Sequence, residues 1–149
     1  MKLRIYLNTT VVSAAEDTRT PERQAQTLTF FARAAEYDLA TSDLTRQELA
    51  ATPDHEQRDR LLARITPWTS ISITAEIRAL AKEYVAQDII PAAYEDDAVH
   101  IAAAVISGQD ILISWNFRHM VNRRRRALVN LLNASRNLPT IEILTPPEL

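Results

Sequence analysis

Asp97-Ala98-Val99-His100-Ile101-Ala102 and Ile111-Leu112-Ile113-Ser114-Trp115-Asn116-Phe117 are the two neighbouring stretches that decide the fold of this chain. The first has the pattern of an apolar helix opened by a carboxylate, and the second that of a buried strand ending at Asn116. In an open parallel α/β sheet, ligands bind at the carboxyl ends of the strands. We therefore expect Asp97 and Asn116 to face one crevice.

Two earlier segments place polar side chains in the same way. The strand pattern of residues 3–7 ends at Asn8, and a short strand over 38–42 leads into a helix that carries Glu48. Oxygen ligands of this kind suit a hard cation such as Mg²⁺. The sequence thus predicts a metal site at the strand ends.

Strand and helix patterns alternate along the rest of the chain. Thr20-Pro21 begins a helix predicted to run to about residue 37, and Asn122 is a suitable N-cap for the last helix. Further helices are predicted over 43–51, 54–65, 77–85 and 94–107, and further strands over 70–73, 110–114 and 141–144. This alternation predicts one α/β domain over residues 1–149, a three-layer α/β/α sandwich with a mostly parallel central sheet.

The composition excludes several classes of site. The chain has 149 residues, 46% of them hydrophobic, which is enough for one core. It has no cysteine, so disulfides, thiolate zinc sites and cysteine nucleophiles are ruled out. No apolar run has the length of a signal peptide or the roughly 18–20 residues of a membrane span. We expect a cytoplasmic protein without a membrane segment.

A cluster of basic residues stands out against the net charge of −2. Its arginines are Arg118, Arg123, Arg124, Arg125 and Arg126. Cations are disfavoured at a helix N-terminus, so the cluster either binds an anion such as RNA phosphate or forms a solvated, ion-paired face. Trp115 and Phe117 offer rings for base stacking, although core packing is favoured for Phe117.

Three segments resemble the PIN-domain ribonucleases, a family that includes the VapC-type toxins of toxin–antitoxin pairs. Ile5-Tyr6-Leu7-Asn8-Thr9-Thr10-Val11-Val12-Ser13 resembles the family's opening strand, which usually ends in Asp-Thr/Ser-x-Val. Residues 40–49 resemble its second strand and helix, with Glu48 as the acidic residue. Residues 95–119 resemble the segment with the third acidic residue and the last motif. Their order and spacing cover nearly the whole chain.

The resemblance implies an endoribonuclease that hydrolyses RNA phosphodiesters with Mg²⁺ or Mn²⁺, as the toxin of a type II toxin–antitoxin pair. It further implies a homodimer inhibited by a small antitoxin; apolar positions in 54–65 or 77–85 are candidates for the dimer face or simply core. Asp97 and Glu48 would be the main metal ligands and Asp96 a substitute carboxylate. Asn8 stands where the family normally has Asp and would be a neutral metal ligand or would position the metal-bound water. Asn116 stands where the family often has Asp and would hold a water or a phosphate oxygen. Because an amide brings no negative charge, a catalytically impaired PIN-fold module that binds RNA or protein is the alternative.

Each candidate also has a structural interpretation. Asn8 is an equally good N-cap for a helix that begins near Thr9. Glu48 completes the capping-box pattern Thr45-Arg46-Gln47-Glu48. Asp96 and Asp97 lie in a first helical turn, where the helix dipole favours carboxylates. His100 is expected to orient a neighbour rather than to act as a base.

Overall fold

Five parallel strands form the centre of the molecule. The computed structural model describes all residues, 1–149. The strands are β1 (Leu3–Leu7), β2 (Tyr37–Ser42), β3 (Thr69–Ile71), β4 (Ile111–Ile113) and β5 (Glu142–Leu144). Their order in the sheet is β3-β2-β1-β4-β5, and all four neighbouring pairs are parallel. The predicted mostly parallel sheet is thus entirely parallel.

Seven α-helices connect and cover the strands. They are α1 (Thr9–Ala14), α2 (Pro21–Ala32), α3 (Asp43–Ala50), α4 (His55–Ile65), α5 (Ala75–Ala86), α6 (Glu95–Ile106) and α7 (Arg123–Ser135). None of them combines the length and the apolar character that a bilayer crossing requires.

The sheet separates two apolar cores. On β1, Ile5 and Leu7 pack with residues of α1 to α4, whereas Tyr6 between them packs with residues of α5 to α7. This alternation follows from the two-residue period of a strand. With helices on both faces, the molecule is the predicted three-layer α/β/α sandwich.

The order in which the chain adds strands to the sheet reverses after β3, and the switch point lies between β1 and β4. From β1 the connections first lead outward to β2 and β3, and the chain then returns to β4 on the other side of β1. At such a switch point the loops beyond neighbouring strands diverge and leave a crevice at the carboxyl ends. Asn8 follows β1 and Ser114 follows β4, so both lie at this crevice.

Two boundaries differ from the sequence-based prediction. Helix α2 ends at Ala32 rather than near residue 37, and a 3-10 turn over Ala34–Glu36 follows. Tyr37 can then pair with Leu3, and this strand pairing outweighs the helical propensity of the alanines. The third strand covers Thr69–Ile71 instead of 70–73. After α6, Gly108 has φ +75° and ends the helix as predicted.

The apolar residues of α4 and α5 belong to the cores. Leu61 and Ile65 of α4 and Ile77 and Leu80 of α5 are buried. The large apolar side chains that are exposed lie outside α4 and α5, among them Leu131 of α7 at 70% exposure. The segments considered for a dimer face are therefore largely used within the protomer.

Candidate active site

Asn8 caps α1 and is almost fully buried. Its Oδ1 accepts hydrogen bonds from the Thr10 amide (3.3 Å), the Thr10 hydroxyl (2.7 Å) and the Ser114 hydroxyl (3.0 Å). The structure therefore realises the capping role of Asn8. Three donors already occupy its oxygen, and its Nδ2 has no acceptor within the protein. The free group of Asn8 is therefore its Nδ2 donor, and its oxygen is not free to bind a metal ion.

Glu48 lies at the end of a buried hydrogen-bond chain. Its Oε1 accepts from the Thr9 hydroxyl at 2.6 Å and lies 2.6 Å from Nε2 of His100. On the other side of the ring, Nδ1 lies 2.6 Å from the Tyr6 hydroxyl, which in turn lies 2.8 Å from the Ser42 hydroxyl. The His100 ring thus bridges the Tyr6 hydroxyl and the Glu48 carboxylate, with one ring nitrogen at each.

This chain of contacts determines how the groups ionise. Burial opposes ionisation of Glu48, but the hydrogen bond and charge of His100 and the Thr9 hydroxyl outweigh it, and the pKa lies below its ordinary value. Burial raises the pKa of Tyr6 well above its usual range, so the phenol keeps its proton. Both nitrogens of the buried His100 have partners, which fits the orienting role expected for it.

The capping-box interpretation of Glu48 is wrong. Helix α3 begins at Asp43, and its N-cap is Ser42, whose hydroxyl accepts from the Thr45 amide. Thr45 lies inside the first turn, so Glu48 is free to face Thr9 and His100. Helix α3 thus begins at the predicted residue, and it is Ser42 at the end of β2, not Thr45, that caps it.

Asp97 is half-buried in the first turn of α6, beside Asn116. Its Oδ2 accepts a hydrogen bond from the side-chain amide of Asn116 at 3.2 Å. The two residues thus face one crevice, as the sequence predicts. Burial raises the pKa of Asp97, with a further contribution from the charge of Glu48. His100, His119 and Asn116 only partly oppose this rise. Asp97 is thus a carboxylate whose charge the protein leaves incompletely compensated.

Asn116 organises the loop after β4. Its Oδ1 accepts from the His119 amide at 2.9 Å, and its own backbone amide donates to the Ser114 hydroxyl at 2.9 Å. Its carbonyl accepts from the amides of Met120 and Val121. These contacts hold the side-chain amide in place, so Asn116 positions Asp97.

The neighbouring Asp96 faces a different depression. It is exposed and lines a cleft of about 400 Å³ together with Glu48 and Arg78. Adjacent residues on a helix point in different directions, so Asp96 lines this cleft whereas Asp97 contacts Asn116.

The carboxylates suit a divalent cation only in combination with other ligands. No three His, Asp or Glu side chains converge closely enough to hold a metal ion. Mg²⁺ often binds through one or two carboxylates and completes its shell with water and substrate phosphate. Oδ1 of Asp97 and Oε2 of Glu48 carry no hydrogen bond and remain available for this. Their donor chemistry, two free carboxylate oxygens, therefore fits a cation that takes its other ligands from water and phosphate.

The arginine cluster divides into two groups. Arg125 donates to the carbonyl of Ile89, and Arg126 donates to the carbonyl of Ile143 at 3.1 Å. The side chains of Arg118, Arg123 and Arg124 are exposed and have no partner in the protein. As predicted, Asn122 caps α7, accepting from the Arg125 amide at 2.9 Å.

Phe117 corrects the prediction of core packing. Its side chain is 51% exposed, whereas Trp115 is only 8% exposed and donates its indole N–H to Thr27 at 2.9 Å. After β4 the chain turns at Asn116, so alternate positions no longer point to opposite faces of a sheet. A period-two pattern does not predict side-chain direction beyond the end of a strand.

Sequence reasoning missed three groups at the site. Ser114 connects Asn8 with Asn116, and the Tyr6 hydroxyl supports His100 from within an apolar strand. His119 is buried against the ring of Tyr94, and neither of its ring nitrogens has a partner. Burial and the charges of Arg125 and Arg118 lower the His119 pKa, against the opposing charge of Asp97. Polar residues inside apolar strands were the available signal for Ser114 and Tyr6.

Comparisons with known proteins identify the fold. No family model matches the chain, and no curated protein matches it. Among solved structures, VapBC2 from Rickettsia felis, bound to a DNA fragment from its promoter, is similar with a TM-score of 0.58 at 12% identity. The match covers 95% of this chain and 97% of that one.

Two Mycobacterium tuberculosis structures are similar as well. VapBC-5, of the VapBC family of toxin–antitoxin systems, has a TM-score of 0.56 at 15% identity, covering 95% of this chain and 98% of that one. VapC20, described as a Sarcin-Ricin loop cleaving toxin, has a TM-score of 0.55 at 17% identity, covering 72% and 86%. Identities this low establish the common fold alone. This chain therefore has the PIN-domain fold of the VapC toxins.

Proposed function

We propose that this protein is an endoribonuclease that hydrolyses RNA phosphodiester bonds with Mg²⁺ or Mn²⁺. The observation that carries the proposal is Asp97, a half-buried carboxylate with one free oxygen at the switch point of the sheet. A buried negative charge without a full partner is costly unless a cation joins it. Glu48 supplies a second free carboxylate oxygen nearby.

Each residue has a distinct task in this proposal. Asp97 and Glu48 hold the cation, and Asn116 keeps Asp97 in place through its 3.2 Å hydrogen bond. When bound, the cation would stabilise the charge that develops on the phosphoryl oxygens during hydrolysis. Thr9 and His100 orient Glu48 and keep it ionised. The Nδ2 group of Asn8 donates to a phosphate oxygen, and Asp96 is a reserve carboxylate at the edge of the site.

The exposed arginines bind the RNA backbone. Arg118, Arg123 and Arg124 have no partner in the protein, so their charges remain available to phosphates. Contacts of this kind position the strand and carry no sequence information. Arg125 and Arg126 add positive charge to this RNA-binding face, although their guanidinium groups donate hydrogen bonds to the carbonyls of Ile89 and Ile143.

A cleavage assay tests the proposal. Purified protein is incubated with single-stranded and structured RNAs in Mg²⁺ or Mn²⁺, with EDTA and Asp97→Ala as controls. We expect cutting that both controls abolish. RNA cutting that persists in Asp97→Ala contradicts the proposal, because cutting would then not depend on this carboxylate.

A PIN-fold module with little catalytic power is the second candidate. It is favoured by Asn8, whose oxygen is fully engaged and which brings no charge to the site. Such a module would bind RNA or a protein without cutting. Asn8→Asp distinguishes the two, because activity that appears only in this variant indicates that the natural chain is impaired.

We also propose that the protein acts as the toxin of a type II pair, with a small antitoxin and a homodimeric state. The similarity to VapBC structures supports this partner class. Light scattering measures the oligomeric state. Co-expression with the product of any short adjacent reading frame tests whether that product binds the protein and suppresses RNA cleavage.

A further inference from the structure

A pocket of about 480 Å³ lies beside the candidate active site, between the start of α2 and the loop after β4. Its walls include Pro21, Glu22, Arg23, Gln26, Trp115 and Phe117. This volume falls within the range of ordinary small-ligand pockets. The pocket thus combines two aromatic rings with one cation, one carboxylate and one amide.

The aromatic part of the pocket is rigid on one side and open on the other. Trp115 is 8% exposed and is anchored to Thr27 by its indole N–H, which gives a fixed base to the pocket. The ring of Phe117 lies 6.2 Å from that of Trp115 and is half exposed. Burying an aromatic side chain is favourable, and at Phe117 much of this gain remains unrealised without a ligand.

Arg23 is held over these rings without any hydrogen bond. The centre of its guanidinium lies 5.0 Å from the Trp115 ring and 5.8 Å from the Phe117 ring. No carbonyl or carboxylate of the protein accepts from the exposed guanidinium. Its planar surface and its donors are therefore available to a flat ligand or a phosphate.

The pocket and the candidate active site share the loop after β4. Asn116, which donates to Asp97, lies between Trp115 and Phe117 in the chain. Phe117 and the residue that contacts Asp97 are thus consecutive residues of one loop. The nucleotide next to a phosphate bound at Asp97 is a ligand that suits this arrangement.

We propose that this pocket binds one unpaired nucleobase of the RNA, next to the cleaved phosphate, stacked on Phe117 and contacted by Arg23. This assignment rests on the proposed function for its substrate class. Protein domains that recognise single-stranded RNA stack splayed bases on aromatic rings and on Arg planes. The polar side chain of Gln26 offers hydrogen bonds to the base edge.

A binding experiment isolates this contact from catalysis. The probe is a single-stranded RNA of ten nucleotides with one 2-aminopurine, whose fluorescence falls on stacking, moved along the strand. The RNA is titrated in Mg²⁺ with the Asp97→Asn protein, alone and combined with Phe117→Leu, Phe117→Tyr or Leu131→Ala. Leu131→Ala is the matched control, since Leu131 is an exposed apolar residue outside this pocket.

We expect quenching at one probe position and a selective effect of Phe117. Loss of one stacking contact corresponds to roughly a five- to hundredfold rise in Kd for Phe117→Leu. Phe117→Tyr and Leu131→Ala should stay within about twofold of the parent. Arg23→Gln should weaken binding more than Arg23→Lys, which keeps the charge but loses the plane.

The outcomes separate this inference from the proposed function. If the wild type cuts RNA and Phe117→Leu has an unchanged KM and Kd, the pocket assignment is overturned and the ribonuclease proposal stands. If Phe117 governs quenching and affinity but RNA is never cut, the pocket assignment stands and the ribonuclease proposal fails. If RNA is neither bound nor cut, both fail. A change of oligomeric state in Phe117→Leu with unchanged RNA affinity would assign the surface to a protein contact and overturn the inference.

Discussion

Nε2 of His100 lies 2.6 Å from Oε1 of Glu48, although 52 positions separate the two residues in sequence. The contact joins α6 to α3 across the end of the sheet. It is part of a chain that continues through Tyr6 to Ser42, so the orientation of Glu48 depends on residues of β1 and β2. One candidate ligand is thus fixed by a buried network rather than by its own helix.

Replacing His100 by Ala should reduce stability in a pH-dependent way. The pKa of Glu48 is lower in the folded protein than in the unfolded chain. The Glu48–His100 pair therefore stabilises the fold fully at pH values above the unfolded pKa of Glu48. This stabilisation is lost as the pH falls through the folded pKa. We expect a loss of about 2–4 kcal/mol at pH 7, from the cavity and from the hydrogen bonds that Glu48 and Tyr6 lose. The loss should be smaller at pH 4. Urea unfolding at both pH values measures it.

His55→Ala is the matched control for this prediction. His55 lies on the surface beside Asp59, and its side chain is 75% exposed. Exposed pairs of this type contribute about 0–1 kcal/mol. Equal losses in the two variants would contradict a special role of the buried pair.

Asp97→Asn should stabilise the protein when metal is absent. Because folding raises the pKa of Asp97, the folded state holds this proton more tightly, and stability falls as the pH rises above the ordinary value. At pH 7 in EDTA we expect the melting temperature of the variant to be higher by roughly 2–4 °C. Mg²⁺ should then stabilise the wild type but not the variant. Thermal scans with and without Mg²⁺ decide this, and an equal response of both proteins to Mg²⁺ would contradict it.

Asn8→Asp should strengthen metal binding. The Asp97–Glu48 site gains a third negative charge, while one carboxylate oxygen keeps the hydrogen bonds from Thr10 and Ser114. Since affinity for hard cations rises with ligand charge, we expect a gain of about tenfold or more for Mn²⁺ by calorimetry. Asn137→Asp adds the same charge at an exposed position and should leave affinity unchanged. A similar gain in both variants would indicate a general effect of net charge.

Arg123→Ala and Arg124→Ala should weaken RNA binding to a similar degree for all RNA sequences. Each lost phosphate contact should reduce the salt dependence of log Kd by about one unit or slightly less. Arg126→Ala should also lower stability, because Arg126 holds the carbonyl of Ile143. Titrations at several salt concentrations test the arginines, and an unchanged slope in both Arg123→Ala and Arg124→Ala removes them from the interface.

Asn137 provides a prediction about the fold itself. It follows α7 with φ +58°, a left-handed conformation that L-residues other than Asn and Asp rarely adopt. Asn137→Ala should therefore cost about 1 kcal/mol, whereas Asn137→Gly should be neutral or slightly stabilising. Thermal unfolding of the two variants compares them, and equal losses would show that the backbone conformation is not the cause.

Features set by contacts between residues near in sequence were predictable, whereas features set by contacts between distant residues were not. The hydrophobic periods and the Pro21, Gly108 and Asn122 boundary signals are local, and the structure confirms them. The end of α2 was wrong, because pairing of Tyr37 with Leu3 is a long-range contact. The exposure of Phe117 was also missed, since no local pattern describes a loop held by Asn116.

The sequence by itself determined the α/β/α class, the parallel sheet and the placement of Asn8, Asp97 and Asn116 at strand or helix ends. These features follow from residue order and local periodicity, which the chain carries before it folds. Tertiary structure alone decided that the Asn8 oxygen is saturated, that His100 orients Glu48 and that Arg23 lies over Trp115 and Phe117. The contacts of Ser114 with Asn8, of His100 with Glu48 and of Arg23 with the two rings join distant segments, and their geometry exists only once the two cores have packed against the sheet.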